Sequence, residues 1–202
     1  MSADAVNNNK RRFLIAATSV VGGVGAAFVA VPFVKSWNPS AKALAAGAPV
    51  LADISKLEEG QMITVEWRGK PVYILKRTDA NMKVLQSDID MLADVDSDAS
   101  RQPEYCKNFG RSYDKYTKIC VMEGVCTHLG CAPKYVPDLN NPFAGSLGEG
   151  WKGGYFCPCH GSIYDLSGRV YHSMPAPLNL PIPPYKFESD SVILIGLDGS
   201  KA

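Results

Sequence analysis

The sequence has almost no net charge. Its 202 residues carry 21 Lys and Arg against 20 Asp and Glu, a formal +1 with the histidines neutral. A chain so balanced does not gather nucleic acid through bulk positive charge. Histidine is scarce, at three, and cysteine is thin, at six. Six cysteines are too few for a small disulfide scaffold at this length. Mean hydropathy is near zero, which excludes a multi-span membrane protein. No phosphate loop is present. The glycine-rich stretch from Gly145 to Gly154 lacks the Gly-Lys-Ser/Thr ending and the strand–helix setting such a loop needs, and it reads as a plain connecting loop. There is no internal repeat. What remains, 46% hydrophobic and 20% charged, can bury a core and is not a disordered tail.

The apolar residues are unevenly spread. Phe13 to Val34 is an uncharged run of 22 residues. As a helix it spans roughly 33 Å, enough to cross a hydrocarbon core of about 30 Å. A cleaved signal peptide has an apolar core of only about 7–15 residues. The run therefore reads as a retained anchor, although Ala41-Lys42-Ala43 resembles a cleavage site. Lys10, Arg11 and Arg12 precede it, which predicts a cytoplasmic N-terminus. The same residues, followed by Phe13-Leu14-Ile15, resemble a twin-arginine export signal without the usual preceding hydroxyl residue. Gly22, Gly23 and Gly25 read equally as a place for another helix to approach within the span and as the ordinary glycine of a membrane helix.

Residues 36–49 (SWNPSAKALAAGAP) have little to bury and read as a flexible hinge, in which the alanines could form a short helix. The chain thus divides into an N-terminus (1–12), an anchor (13–35), a hinge (36–49) and a head (50–202). Residues 46–202 hold 16 Lys and Arg against 19 Asp and Glu, a mild −3. Strand signals dominate the head. Met62 to Trp67 and Val72 to Lys76 predict a hairpin about a turn at Arg68-Gly69-Lys70-Pro71. Ala80 to Leu92 is more helical. Tyr116 to Val125, Gly154 to Phe156, Ile163-Tyr164, Pro184 to Phe187 and Ser191 to Ile195 read as further strands. Glycine and proline punctuate the rest, so the head is predicted to be mainly β, antiparallel and rich in long loops.

Two short motifs carry the chemistry. One is Cys126-Thr127-His128-Leu129-Gly130-Cys131; the other is Cys157-Pro158-Cys159-His160-Gly161-Ser162. Two cysteines and two histidines could hold zinc tetrahedrally, but structural zinc sites commonly pair like ligands along the chain. Here each loop brings one thiolate and one imidazole. That division suits a [2Fe–2S] cluster with one iron on two cysteines and the other on two histidines, the Rieske class of centre.

CTHLGC followed by CPCHGS resembles the signature of the Rieske iron–sulfur subunits of ubiquinol–cytochrome c reductase, the bacterial cytochrome bc1 type. The likeness extends over the anchor, the alanine-rich hinge and the head. It implies an antiparallel β-sandwich with a smaller cluster-binding subdomain, at about 125–180, behind one transmembrane helix. It implies that Cys126 and Cys157 bind one iron, that His128 and His160 bind the other, and that Cys131 and Cys159 form a disulfide between the loops. Such a bond suits an oxidising compartment such as the periplasm. Ser162 resembles the serine that donates to a bridging sulfide, and Tyr164 the tyrosine that donates to a ligand sulfur.

The resemblance also implies a reaction: proton-coupled, one-electron oxidation of ubiquinol, with the electron passed to a c-type cytochrome in support of proton translocation. His160 or His128 would contact the quinol and take its proton. Leu129 would help form the docking surface on a cytochrome b subunit. The whole would be a dimeric complex in a bacterial inner membrane, with the head periplasmic. Met174-Pro175-Ala176-Pro177 replaces the family's Gly-Pro-Ala-Pro, which leaves that loop's path open. His172 reads as a surface residue. Cys106 and Cys120 could be a second disulfide or two small buried residues. The Rieske subunit of arsenite oxidase shares parts of this pattern, but the retained anchor, the hinge and the Ser162–Tyr164 pair favour the quinol enzyme.

Overall fold

The structure is a computed structural model that describes residues 7–87, 89–138, 147 and 151–198. It divides into two units, Met1–Ala45 and Ala46–Ala202. Of the glycine-rich stretch from Gly145 to Gly154, positions 145, 146 and 148–150 lie outside the described residues.

The first unit is dominated by helix α1, Asn8–Lys35. Asn7 caps it, its side-chain oxygen accepting from the N–H groups of Asn9 and Lys10. The polar Thr18 returns its hydroxyl to the Leu14 carbonyl at 2.7 Å, so it adds no unpaired donor to an apolar helix. No residue of α1 is buried by the protein, as a lipid-facing helix requires. Helix α2, Ala41–Ala46, then forms within the alanine-rich stretch, so the segment between anchor and head is partly helical.

The head consists of three antiparallel sheets of three strands each. The first joins β1 (Val50–Asp53) to β9 (Val192–Ile195) and β8 (Tyr185–Ser189), closing the two ends of the head on each other. The second orders β2 (Met62–Trp67), β3 (Lys70–Lys76) and β4 (Ile119–Glu123). The third orders β5 (Lys134–Val136), β6 (Gly154–Phe156) and β7 (Ile163–Tyr164). The β2–β3 turn is tighter than the sequence reading. Trp67 pairs with Lys70, leaving only Arg68 and Gly69 between the strands, at φ 54° and 71°. Positive φ at both positions matches the strand twist, whereas a four-residue turn would not need it. Helix α3 (Asp79–Ser87) opens on a reciprocal cap between Thr78 and Asn81.

The second sheet separates two cores. Successive side chains on a strand point to opposite faces. Val72, Ile74, Ile119 and Val121 therefore pack, with Trp67, against Ile193 and Ile195 of the first sheet. Tyr73, Leu75, Cys120 and Met122 pack on the other side, against Cys126, Tyr155, Cys157, Tyr164 and Leu166. The two cores also separate the leftover cysteines. Cys106 sits in the first core and Cys120 in the second, and both are free. Burial pushes the Cys106 thiol up to about 12, so it behaves as a small neutral core group.

Candidate metal centre

The second core ends in two loops of the same build. The first runs from Cys126 to Cys131 after β4; the second runs from Cys157 to Ser162 between β6 and β7. In the first, the Cys126 N–H donates to the Cys131 carbonyl at 2.7 Å and the Gly130 N–H to the Cys126 carbonyl at 3.0 Å. In the second, the Cys157 N–H donates to the Ser162 carbonyl at 2.8 Å and the Gly161 N–H to the Cys157 carbonyl at 2.9 Å. The fifth residue of each loop is left-handed, Gly130 at φ 84° and Gly161 at φ 79°. A Cβ would meet nothing within 4 Å at either position, so conformation and not crowding calls for glycine.

The loops are joined by the Cys131–Cys159 disulfide, with Cα atoms 6.6 Å apart and a sequence separation of 28. Inside lie the buried Cys126 and Cys157. The His128 and His160 rings stand 4.7 Å apart between centroids, at 83°. His160 is exposed and His128 half-buried. Two thiols and two imidazoles thus converge from opposite loops, as the sequence motifs imply.

The donor set fits a metal group. The Nδ1 of His128 is buried and has no hydrogen-bond partner. A buried polar atom left unpaired costs about 1–3 kcal/mol, which a metal bond would remove. Burial also pushes the Cys157 thiol up, so its thiolate needs a cation beside it. The sulfurs of Cys131, Cys157 and Cys159 all lie within 4.8 Å of one another, yet the disulfide withdraws two of them and leaves Cys157 as the donor.

The supporting hydroxyls are in place. Tyr164 is fully buried and donates to the Cys126 sulfur at 3.2 Å. Burial first, then this contact, pushes its phenol well above the ordinary value, so it remains a donor. Ser162 is also fully buried, and its Oγ accepts the Ala176 N–H at 3.1 Å, which leaves its own proton free to donate. Thr127 escaped the sequence reading. Its hydroxyl donates to the Leu178 carbonyl at 2.6 Å, and its N–H donates to the Tyr164 oxygen at 3.3 Å. A hydroxyl residue between Cys126 and His128 was the available signal. Thr127 and Ser162 together clasp the proline segment to both loops. The left-handed residue there is Ser173, at φ 61°, so Met174 needs no glycine conformation. Leu129 is 70% exposed at the loop tip. His172 is exposed and lines a cavity of ≈ 490 Å³ with Met91, Trp151 and Met174.

Comparison with known proteins identifies the domain in which these loops lie. Residues 100–184 match the Rieske [2Fe-2S] domain. Residues 1–40 match the family described as "Ubiquitinol-cytochrome C reductase Fe-S subunit TAT signal", so the arginine pair is part of an export signal despite the missing hydroxyl residue. The ubiquinol-cytochrome c reductase iron-sulfur subunit of Allochromatium vinosum is 51% identical over 202 residues, covering 100% of this chain and 95% of the relative. That of Blastochloris viridis is 44% identical over 195 residues, covering 96% and 97%. A solved chain of a hyperthermophilic respiratory complex III covers 90% of this chain and 98% of its own, at 26% identity and a TM-score of 0.45. With its apolar helix α1 and its Rieske domain, this chain belongs to the family of ubiquinol–cytochrome c reductase iron–sulfur subunits.

Proposed function

We propose that Cys126 and Cys157 hold one iron of a Rieske cluster and His128 and His160 the other, and that the chain uses the cluster to oxidise ubiquinol and reduce a c-type cytochrome. The observation that carries this reading is the pair of matched loops, each offering one thiol and one imidazole across the Cys131–Cys159 bond. When bound, the cluster supplies a one-electron acceptor of raised potential.

The chain's own residues do the rest. The orphaned Nδ1 makes His128 a ligand through that atom and leaves Nε2 for the quinol. The exposed His160 imidazole accepts a hydrogen bond from the quinol hydroxyl and takes its proton on the ring nitrogen that the iron does not engage. Leu129, next to His128 at the tip of the first loop, offers an apolar surface to the cytochrome b subunit. Tyr164 and Ser162 aim O–H groups at the ligand site, which favours the electron-rich state.

Residues 36–49 act as the hinge on which the head, 50–202, moves between quinol and cytochrome, with α2 shortening the tether. Lys10 to Arg12 keep the N-terminus cytoplasmic and the head enters the periplasm, where the disulfide persists. The assembly is a dimeric complex with cytochrome b and a c-type cytochrome. Purification from membranes tests this. Co-purifying b- and c-type haem with quinol-dependent cytochrome reduction is the expected result. A chain isolated without either haem, and inactive with quinol, would refute it.

A further inference from the structure

The head buries positive charge that its carboxylates do not answer. Among the described residues the fully buried cations are Arg77, Arg111 and Arg169, each at most 1% exposed. The buried carboxylates are Asp165 and Glu123. Asp165 pairs with Arg169 at 2.7 Å. Glu123 reaches outward to the partly exposed Lys70 and Arg101. Among the described residues, no carboxylate lies at ion-pair distance from Arg77 or Arg111. Arg77 donates to the Gly110 carbonyl at 2.8 Å, to Ser167 Oγ at 2.6 Å, to Ser112 Oγ at 3.1 Å and to the Thr117 carbonyl. Arg111 donates to Gln102 Oε1, the Ser167 carbonyl and the Leu180 carbonyl, each at 2.9 Å. Every acceptor is neutral, and a buried cation left so is costly.

The two cations converge on the chain that backs the ligand loops. Both bind Ser167, three residues beyond Tyr164, whose hydroxyl donates to the Cys126 sulfur. Arg111 also holds Leu180, two residues beyond the Leu178 carbonyl that accepts from Thr127. Two ferric ions, two sulfides and two thiolates sum to zero charge, and one added electron makes the sum −1. That electron is the counter-charge the two guanidinium groups lack. In a low-dielectric interior, fixed positive charge favours the state that carries it.

We propose that the buried guanidinium groups of Arg77 and Arg111, neither ion-paired with a carboxylate among the described residues, raise the reduction potential of the cluster. They are positioning residues, fixing a field and touching neither ligand nor quinol. The inference rests on the Cys126, His128, Cys157 and His160 ligand reading.

The test is a redox titration followed by EPR on the purified, cluster-loaded full chain. Arg77→Gln and Arg111→Gln should keep the EPR line shape and lower the midpoint potential. About a tenfold loss in the reduced-to-oxidised ratio at fixed ambient potential is expected, 59 mV for one electron. Arg77→Lys and Arg111→Lys, which retain the charge, should hold the potential. Asp165→Asn, which removes the nearby negative charge, should raise it. A Gln variant with a normal signal and an unmoved potential overturns the proposal. So does a fall of the same size in the Lys variants, which would assign the effect to lost hydrogen bonds. If the Gln variants do not load, the direction of the Asp165→Asn shift decides. Absence of the Rieske signal from the unmodified protein would instead refute the ligand reading, which keeps the two failures apart.

Discussion

Tyr164 is where a single side chain carries most. It sits on the two-residue strand β7, donates to the Cys126 sulfur at 3.2 Å, and accepts from the Thr127 N–H. Removing the hydroxyl takes away a bond worth more when the sulfur is richer in electrons. Tyr164→Phe should therefore load normally and titrate at a lower midpoint, by roughly 60 mV if about 1.4 kcal/mol of differential stabilisation is lost. An unchanged midpoint in a redox titration would count against the donor role. His160 is the other decisive residue. It is an exposed imidazole facing His128, with no packing role that explains its place. His160→Ala should leave the head folded, by circular dichroism, and abolish the Rieske EPR signal. A normal signal would remove it from the ligand set.

Among elements, the disulfide and the two glycine-closed loops set the geometry. The Cys131–Cys159 bond closes 28 residues, which the chain-entropy model values at roughly 3–4 kcal/mol. Reducing it should lower the melting temperature of the head without unfolding it at room temperature. A melting curve indifferent to reductant would show that the loops are held by other means. Gly124, just before the first loop, is a second control point. A Cβ there would lie 2.2 Å from the Tyr73 ring, and Tyr73 donates to the Pro133 carbonyl beyond the loop. Gly124→Ala should displace Tyr73 and destabilise the head by about 1–3 kcal/mol in a denaturant titration. A variant as stable as the parent would contradict the crowding. These loops were legible because their information is local: spacing within CTHLGC and CPCHGS names ligand types and glycine turns together. Strands β6 and β7 were legible for the same reason, being short aromatic or branched runs beside each motif. The β2–β3 turn was read too wide because Lys70 and Pro71 look like turn residues until pairing places them in β3. The state of Cys106 and Cys120 was not legible, since it depends on which of the two cores each joins. Nor were the buried arginines, which in sequence are indistinguishable from surface charge.

At the scale of the whole molecule, the near-zero net charge joins two unlike parts, an apolar helix with a basic start and a mildly acidic β head. The family places that head in an electron-transfer complex, and the proposed hinge decides whether it can reach both partners. Replacing residues 39–44 with a rigid proline run should leave the cluster spectrum intact and slow cytochrome reduction by quinol. A rate equal to the parent's would show that the head need not move. The proposed function depends on what Cys126, His128, Cys157 and His160 hold. The most direct measurement is iron, zinc and acid-labile sulfide analysis of the purified chain, with EPR of the reduced sample. About two irons and two sulfides per chain, with a Rieske signal, is the expected result. Stoichiometric zinc without sulfide would contradict it.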